Sequence, residues 1–168
     1  MNLHIPFVFC TSLLFSSTVG LGVAKDFQPN KQTPPSYWSE EERAADLGVD
    51  LQKALPDSYT TVIYFHRLPS CPSCQKMAKH LYCVLKEHFE TELHTRKIVL
   101  KYVNFEEPTN RTLVEMFGIK KPSIVLVHAS PAGVRAAKAD KIWQFVTDDD
   151  KFCEYIQNQI TTFVQTPN

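Results

Sequence analysis

The sequence predicts an α/β domain in three layers, a mixed sheet of four to five strands flanked by helices. Three observations carry that expectation. A β-branched and aromatic run at residues 60–66 is followed by a Cys71-Pro72-Ser73-Cys74 turn, a long stretch of helical periodicity and a second apolar run at residues 98–105. Strand, helix and strand in that order make a parallel pair joined by a right-handed crossover. A third run at residues 123–128 leads into Ser130-Pro131-Ala132-Gly133, the kind of turn that folds an antiparallel hairpin onto the sheet. The length of 168 residues suits one domain, and a hydrophobic content of 43% supplies it with a core.

The elements follow in order. Residues 1–24 hold no Lys, Arg, Asp or Glu, and an apolar run from Ile5 to Leu21 ends in Gly22-Val23-Ala24. This reads as a cleaved signal peptide, or failing that an uncleaved N-terminal anchor, and so predicts export, periplasmic or secreted. Residues 25–36, polar and carrying Pro29, Pro34 and Pro35, read as a linker, which leaves 37–165 for the domain. Ser39 with Glu42 forms a capping-box signature. Ala44, Leu47, Leu51 and Leu55 then recur at helical spacing until Pro56, which predicts a leading helix over that whole stretch.

The helix after the CxxC is expected from Pro72 to about Leu93, with Met77, Ala78, Leu81, Val84, Leu85 and Phe89 on one face. The 98–105 strand is apolar at nearly every position, as in a strand buried on both sides. Pro108 opens a short helix through Leu113, Val114 and Phe117, which Gly118 ends. A fourth strand is expected within residues 134–146, best at Ile142, Trp143 and Phe145. Asp148, Asp149 and Asp150 suit the start of a final helix whose apolar stripe is Phe152, Ile156, Ile160 and Phe163.

Charge excludes some partners. Lys plus Arg and Asp plus Glu both number 18, so the chain has no electrostatic case for nucleic acid or an anionic membrane surface. Any membrane contact is left to an uncleaved N-terminal anchor. The oligomeric state is not legible.

The CxxC carries the chemistry. A helix N-terminus offers unpaired N–H groups and partial positive charge, and both favour a thiolate over a thiol. Pro72 falls at the first helical position, where its missing N–H costs nothing. Cys71 is then the cap and the more exposed sulfur, and Cys74 lies one turn in, nearer the core. Free thiols titrate at about 8.5, and nucleophilic cysteines in such a setting at roughly 3.5–7.5. A Cys71 thiolate attacks a substrate disulfide, and Cys74 resolves the mixed disulfide that forms; run backwards, the pair oxidises a dithiol. Two other readings stay open. The pair can be an inert structural disulfide in a binding module, or part of a metal site that includes His66. A zinc site wants four ligands, and no second CxxC or spaced histidine pair is present, so metal ranks last and no cofactor is called for. Expected partners are protein or small-molecule thiols and disulfides.

Ile63-Tyr64-Phe65-His66, four residues and then Cys71-x-x-Cys74, together with Val103-Asn104, Ser123-Ile124-Val125-Leu126-Val127, Lys141-Ile142-Trp143 and Phe152-x-x-Tyr155-Ile156, resembles the ArsF-type branch of thioredoxin-like proteins. The resemblance covers residues 59–163. It implies a thioredoxin fold and thiol-disulfide oxidoreductase activity. It also implies that Pro122, before the third strand, is the cis-proline that lies beside the CxxC and presents substrate backbone. The chain departs from the pattern at Ser70, where the branch has a basic residue, across residues 75–78, which lack the usual charges, and at Tyr64, where thioredoxins place a buried Asp.

His66 ends the first strand five residues before Cys71. It can tune Cys71 as an imidazolium or simply hold the loop backbone. Lys101 is expected at a strand margin with its head in water rather than beneath the CxxC. Cys83 projects among Lys76, Lys79, His80, Glu87 and Glu90, and Cys153 sits at the edge of the last apolar stripe. Their directions match poorly for a disulfide, so Cys83 is expected as an exposed thiol and Cys153 as a small core residue. Trp143 is expected in core or hairpin packing. Asn110-Arg111-Thr112 matches a glycosylation sequon within a helix.

Overall fold

The structure is a computed structural model, and it describes residues 39–166. The leader at 1–24 and the linker at 25–36 lie outside the described residues, as does the start of the predicted domain at 37.

The elements run α1 Glu40–Asp46, β1 Tyr59–His66, α2 Pro72–His88, α3 Glu90–His94, β2 Ile98–Asn104, a 3-10 turn Pro108–Asn110, α4 Arg111–Met116, β3 Ser123–Ser130, β4 Gly133–Lys138, α5 Ile142–Phe145 and α6 Asp149–Gln165. The sheet has four strands in the order β2-β1-β3-β4. β1 and β2 are parallel, with Tyr64 opposite Tyr102. β1 and β3 are antiparallel, with Phe65 opposite Ser123. β4 returns from β3 as the outer arm of a hairpin. A βαβ unit extended by a β-hairpin, with helices on both faces, is a thioredoxin-like α/β fold.

The period of two along the central strands divides the core. Val62 and Tyr64 of β1, with Ile124 and Leu126 of β3, face α2 and α6 and pack with Leu81, Leu85, Phe152, Ile156 and Ile160. Ile63, Phe65 and Val125 face the other way, toward Ile119, Leu113 and Phe117 around α4. α2 and α6 therefore share one sheet face, tied by the Lys76–Asp149 ion pair and the His80–Phe152 ring contact at 5.7 Å. At the other end, Tyr82 and Lys86 of α2 both reach Asp46 of α1, the latter at 3.0 Å.

Four expectations are corrected. The capping box forms, with Ser39 and Glu42 bonding reciprocally, but α1 ends at Asp46. Gly48 adopts φ +66°, a left-handed turn that stops the helix, so Leu51 and Leu55 fall outside it and Leu55 is exposed. The helix after the CxxC is two helices. Phe89 leaves helical geometry at φ −133°, ψ 26°, with its side chain buried, and α3 begins after it. β2 is not buried on both sides: it is an edge strand, fully buried only at Ile98, and Lys101 is exposed as expected. The fourth strand is Gly133–Lys138, and Ile142, Trp143 and Phe145 form the short helix α5 instead. β4 lies on the sheet edge with most side chains exposed, so it carries little apolar signal, whereas α5 plugs the end of the core with Ile142.

The remaining elements stand as read. Gly118, at φ +59°, closes α4. Asp148 caps α6 through the Lys151 N–H. Phe152, Ile156, Ile160 and Phe163 are all buried.

Candidate functional site

The site begins where β1 runs out. β1 is central and buried, so its C-terminal end is held firmly, and residues 67–70 carry the chain from there to α2. The Gln75 side-chain amide donates to the Ser70 carbonyl at 3.4 Å, which ties that loop to the helix start.

Cys71 is the N-cap of α2, with extended backbone at φ −76°, ψ 158°. Its sulfur accepts the Cys74 backbone N–H at 3.2 Å. Pro72 occupies the first turn, which contains no acidic residue. Cys71 and Cys74 are joined as a disulfide, with Cα atoms 5.0 Å apart. Cys71 is half-buried and Ser73 likewise, while Cys74 is only 1% exposed. The two sulfurs thus divide as the capping geometry requires: one reachable from solvent at the helix end, the other behind it. An unpaired N–H aimed at a sulfur stabilises negative charge there.

Aromatic side chains form the floor. Tyr64, 1% exposed, donates its hydroxyl to the Cys74 carbonyl at 2.8 Å. Tyr102 meets the Tyr64 ring edge-on at 5.6 Å, and the Arg43 guanidinium lies 4.3 Å over the Tyr102 ring. The Tyr102 hydroxyl is buried without a hydrogen-bond partner. Burial raises both phenols above the ordinary tyrosine range, each further raised by a neighbouring group, Tyr102 for Tyr64 and Cys83 for Tyr102, with Arg43 opposing the shift at Tyr102. Sequence reasoning missed this floor beyond noting Tyr64 as a departure. The available signal was the pair of tyrosines in two adjacent strands, which only the parallel register sets opposite each other.

His66 is buried, stacks on Tyr64 at 6.2 Å and meets Tyr102 edge-on at 6.2 Å. Its Nδ1 has no hydrogen-bond partner. Burial lowers its pKa, a hydrogen bond with the Arg67 backbone opposes that, Arg43 lowers it further and Glu107 raises it. Burial thus favours the neutral ring over an imidazolium.

Pro122 precedes Ser123, the partner of Phe65, so it stands at the same end of the sheet as the CxxC. Its bond is trans, however: the cis peptide bond among the described residues is Leu68–Pro69, in the loop before Cys71. Trans is the favoured isomer even before proline, and Pro122 leads directly into an extended strand. Pro122 is buried, and its carbonyl accepts the Trp143 indole N–H at 3.0 Å.

Cys83 and Cys153 do not form a disulfide with each other, and both are half-buried rather than one exposed and one in the core. Burial pushes the Cys153 thiol up, and Cys83 adds to the rise. The Asn110 side-chain amide donates to the Asn104 carbonyl at 2.8 Å. Among the described residues no cluster of three metal-ligating side chains occurs, and no helix is long and apolar enough to cross a membrane.

No protein-family model and no curated protein matches the chain. Among solved structures it is similar to ERdj5 in crystal form II, at 19% identity and TM-score 0.43, over 76% of this chain and 18% of that one. It is likewise similar to the crystallised Trx4 domain of ERdj5, at 18% identity and TM-score 0.41, over 74% of this chain and 94% of the domain. The chain thus spans less than a fifth of the ERdj5 chain.

Proposed function

We propose that the protein is an exported thiol-disulfide oxidoreductase of the ArsF-type branch, acting on protein or small-molecule thiols and disulfides. One observation carries this reading: the Cys71 sulfur caps α2 and accepts the Cys74 N–H, while Cys74 lies buried one turn behind.

In the disulfide state, a substrate thiolate attacks the Cys71 sulfur. The Cys71–Cys74 bond breaks, and Cys74 leaves with the electron pair and takes up a proton. The second substrate thiolate then attacks the mixed disulfide and expels Cys71 as a thiolate, which the helix N-terminus stabilises. Two electrons have passed from substrate to protein; of the two substrate protons one ends on Cys74 and the other in solvent, since Cys71 stays a thiolate. The reverse sequence reduces a substrate disulfide. The sulfurs carry the electrons themselves, so the cycle calls for no cofactor or metal. Pro72 and Ser73 shape the first turn, His66 and Pro122 flank it at the sheet end, and residues 1–24 supply the export signal.

A second reading is favoured by one observation. Tyr64, a neutral hydroxyl, lies against Cys74 where a base would assist proton transfer. That suits a redox-inert binding module in which the disulfide is a staple. Trapping separates the two. A Cys74→Ser variant of a reductase holds its partner covalently through Cys71, and Cys71→Ser holds nothing. If neither variant captures a partner, and the wild-type protein neither reduces insulin nor oxidises a peptide dithiol, the staple reading replaces the first.

A further inference from the structure

The net charge of the chain is zero, yet its cations are not spread evenly. Beyond the ends of β3 and β4 lies an open cavity of about 460 Å³ whose lining includes Lys120, Lys121, Lys138, Asp140 and Trp143. This volume is within the range of small-ligand pockets. Three lysines and one aspartate line it. Asp140 pairs with Lys138 at 3.9 Å, and the lining keeps an excess of positive charge.

The wall is built rather than incidental. The Trp143 indole N–H donates to the Pro122 carbonyl at 3.0 Å, which fixes the ring. Lys121 places its ammonium 5.3 Å from the centre of that ring, holding the charge over an aromatic face.

The position matters most. Ser123 also lines the cavity and pairs with Phe65 of β1, and Lys138 pairs with Val125. The cavity therefore opens at the same end of the sheet as the CxxC, one to two strands across from the end of β1, and neighbouring strands are about 4.8 Å apart. A peptide whose cysteine reaches Cys71 can lay flanking residues into it.

We propose that this cavity is a substrate subsite that binds carboxylates of a peptide flanking its reactive cysteine, so that the protein selects acidic cysteine-containing segments. The inference rests on the oxidoreductase reading and names the substrate class of that site. The three lysines supply attraction and steering.

The test uses the full chain, pre-reduced, and three synthetic peptide disulfides that differ only in the residues flanking the cysteine: Asp, Gly or Lys. Glutathione disulfide is a fourth substrate. The second-order rate constant is expected to be about tenfold higher for the Asp peptide than for the Gly peptide at low ionic strength. The preference is expected to shrink in salt above 0.1 M, where screening falls below about 10 Å. A Lys120→Gln/Lys121→Gln/Lys138→Gln variant is expected to lose the preference while keeping the Gly-peptide rate. Equal rates for the Asp and Gly peptides, an unchanged preference in the triple variant, or an acceleration confined to glutathione disulfide would each overturn the proposal. Failure to react with any of the four disulfides would instead overturn the oxidoreductase reading.

Discussion

Two tyrosines beneath the CxxC permit a matched comparison. Tyr64 is buried and Tyr102 half-buried with its hydroxyl out of solvent, their rings meet edge-on, and burial raises both phenols above the ordinary tyrosine range. Only one is bonded: Tyr64 donates to the Cys74 carbonyl at 2.8 Å, and Tyr102 has no partner. Tyr64→Phe removes a donor and leaves an acceptor. The Cys74 carbonyl lies inside α2, so helix geometry still provides it with an N–H partner, and no buried group is orphaned. The cost is therefore that of one neutral hydrogen bond, about 1 kcal/mol. For a domain of this size that lowers Tm by roughly 4 °C. Tyr102→Phe removes a hydroxyl that was desolvated without compensation. It is expected to leave stability unchanged or to raise it by up to about 1 kcal/mol. Urea denaturation of the disulfide form at pH 7 measures both, provided the m-values agree. An unchanged midpoint in Tyr64→Phe, or a larger loss in Tyr102→Phe than in Tyr64→Phe, would refute the assignment of the hydrogen bond.

Three further outcomes are expected. His66 has a folded-state pKa below its unfolded value, so the unfolded chain binds the extra proton. Its contribution is present above the unfolded pKa, near 6.5, and is lost as pH falls through the folded pKa. His66→Gln is thus expected to flatten the fall in stability on the acid side of pH 6.5, and an identical slope in both proteins would contradict the burial of the ring. Phe152→Ala empties a fully buried site between α2 and α6 and is expected to cost about 3–5 kcal/mol in denaturant titration; a loss under about 1 kcal/mol would mean that the helix pair is not packed as described. Gly48→Ala meets both a left-handed φ and the His94 Nε2 atom, 2.8 Å from the added Cβ, so it is expected to lower stability by about 1–2 kcal/mol, and a neutral effect measured by thermal melting would sink the account of how α1 ends.

Much of the architecture was legible because it rests on local chemistry. The capping box at Ser39, the Cys71-Pro72 helix start, the Asp148 cap and the stripe from Phe152 to Phe163 each depend on residues within a turn or two of one another. Errors arose where a neighbour elsewhere in the chain decides. The apolar run at 98–105 looked central, but strand order places it on an edge. The apolar Ile142-Trp143-Phe145 cluster looked like a strand, yet it plugs one end of the sheet as a helix, and the real strand beside it is largely exposed. The resemblance implies a cis bond at Pro122, whereas the cis bond among the described residues lies at Pro69.

By itself, the sequence determined the α/β class, the βαβ-plus-hairpin order and the presentation of Cys71 ahead of Cys74 at a helix start. These follow from residue spacing and from the backbone demands of the first helical turn. Tertiary structure alone decided that Tyr64 reaches Cys74, that His66 is buried with its pKa pushed down, and that Lys120, Lys121 and Lys138 line one cavity with Trp143. Those facts depend on strand register and on which groups lose their water, and neither is encoded in the spacing of residues along one segment.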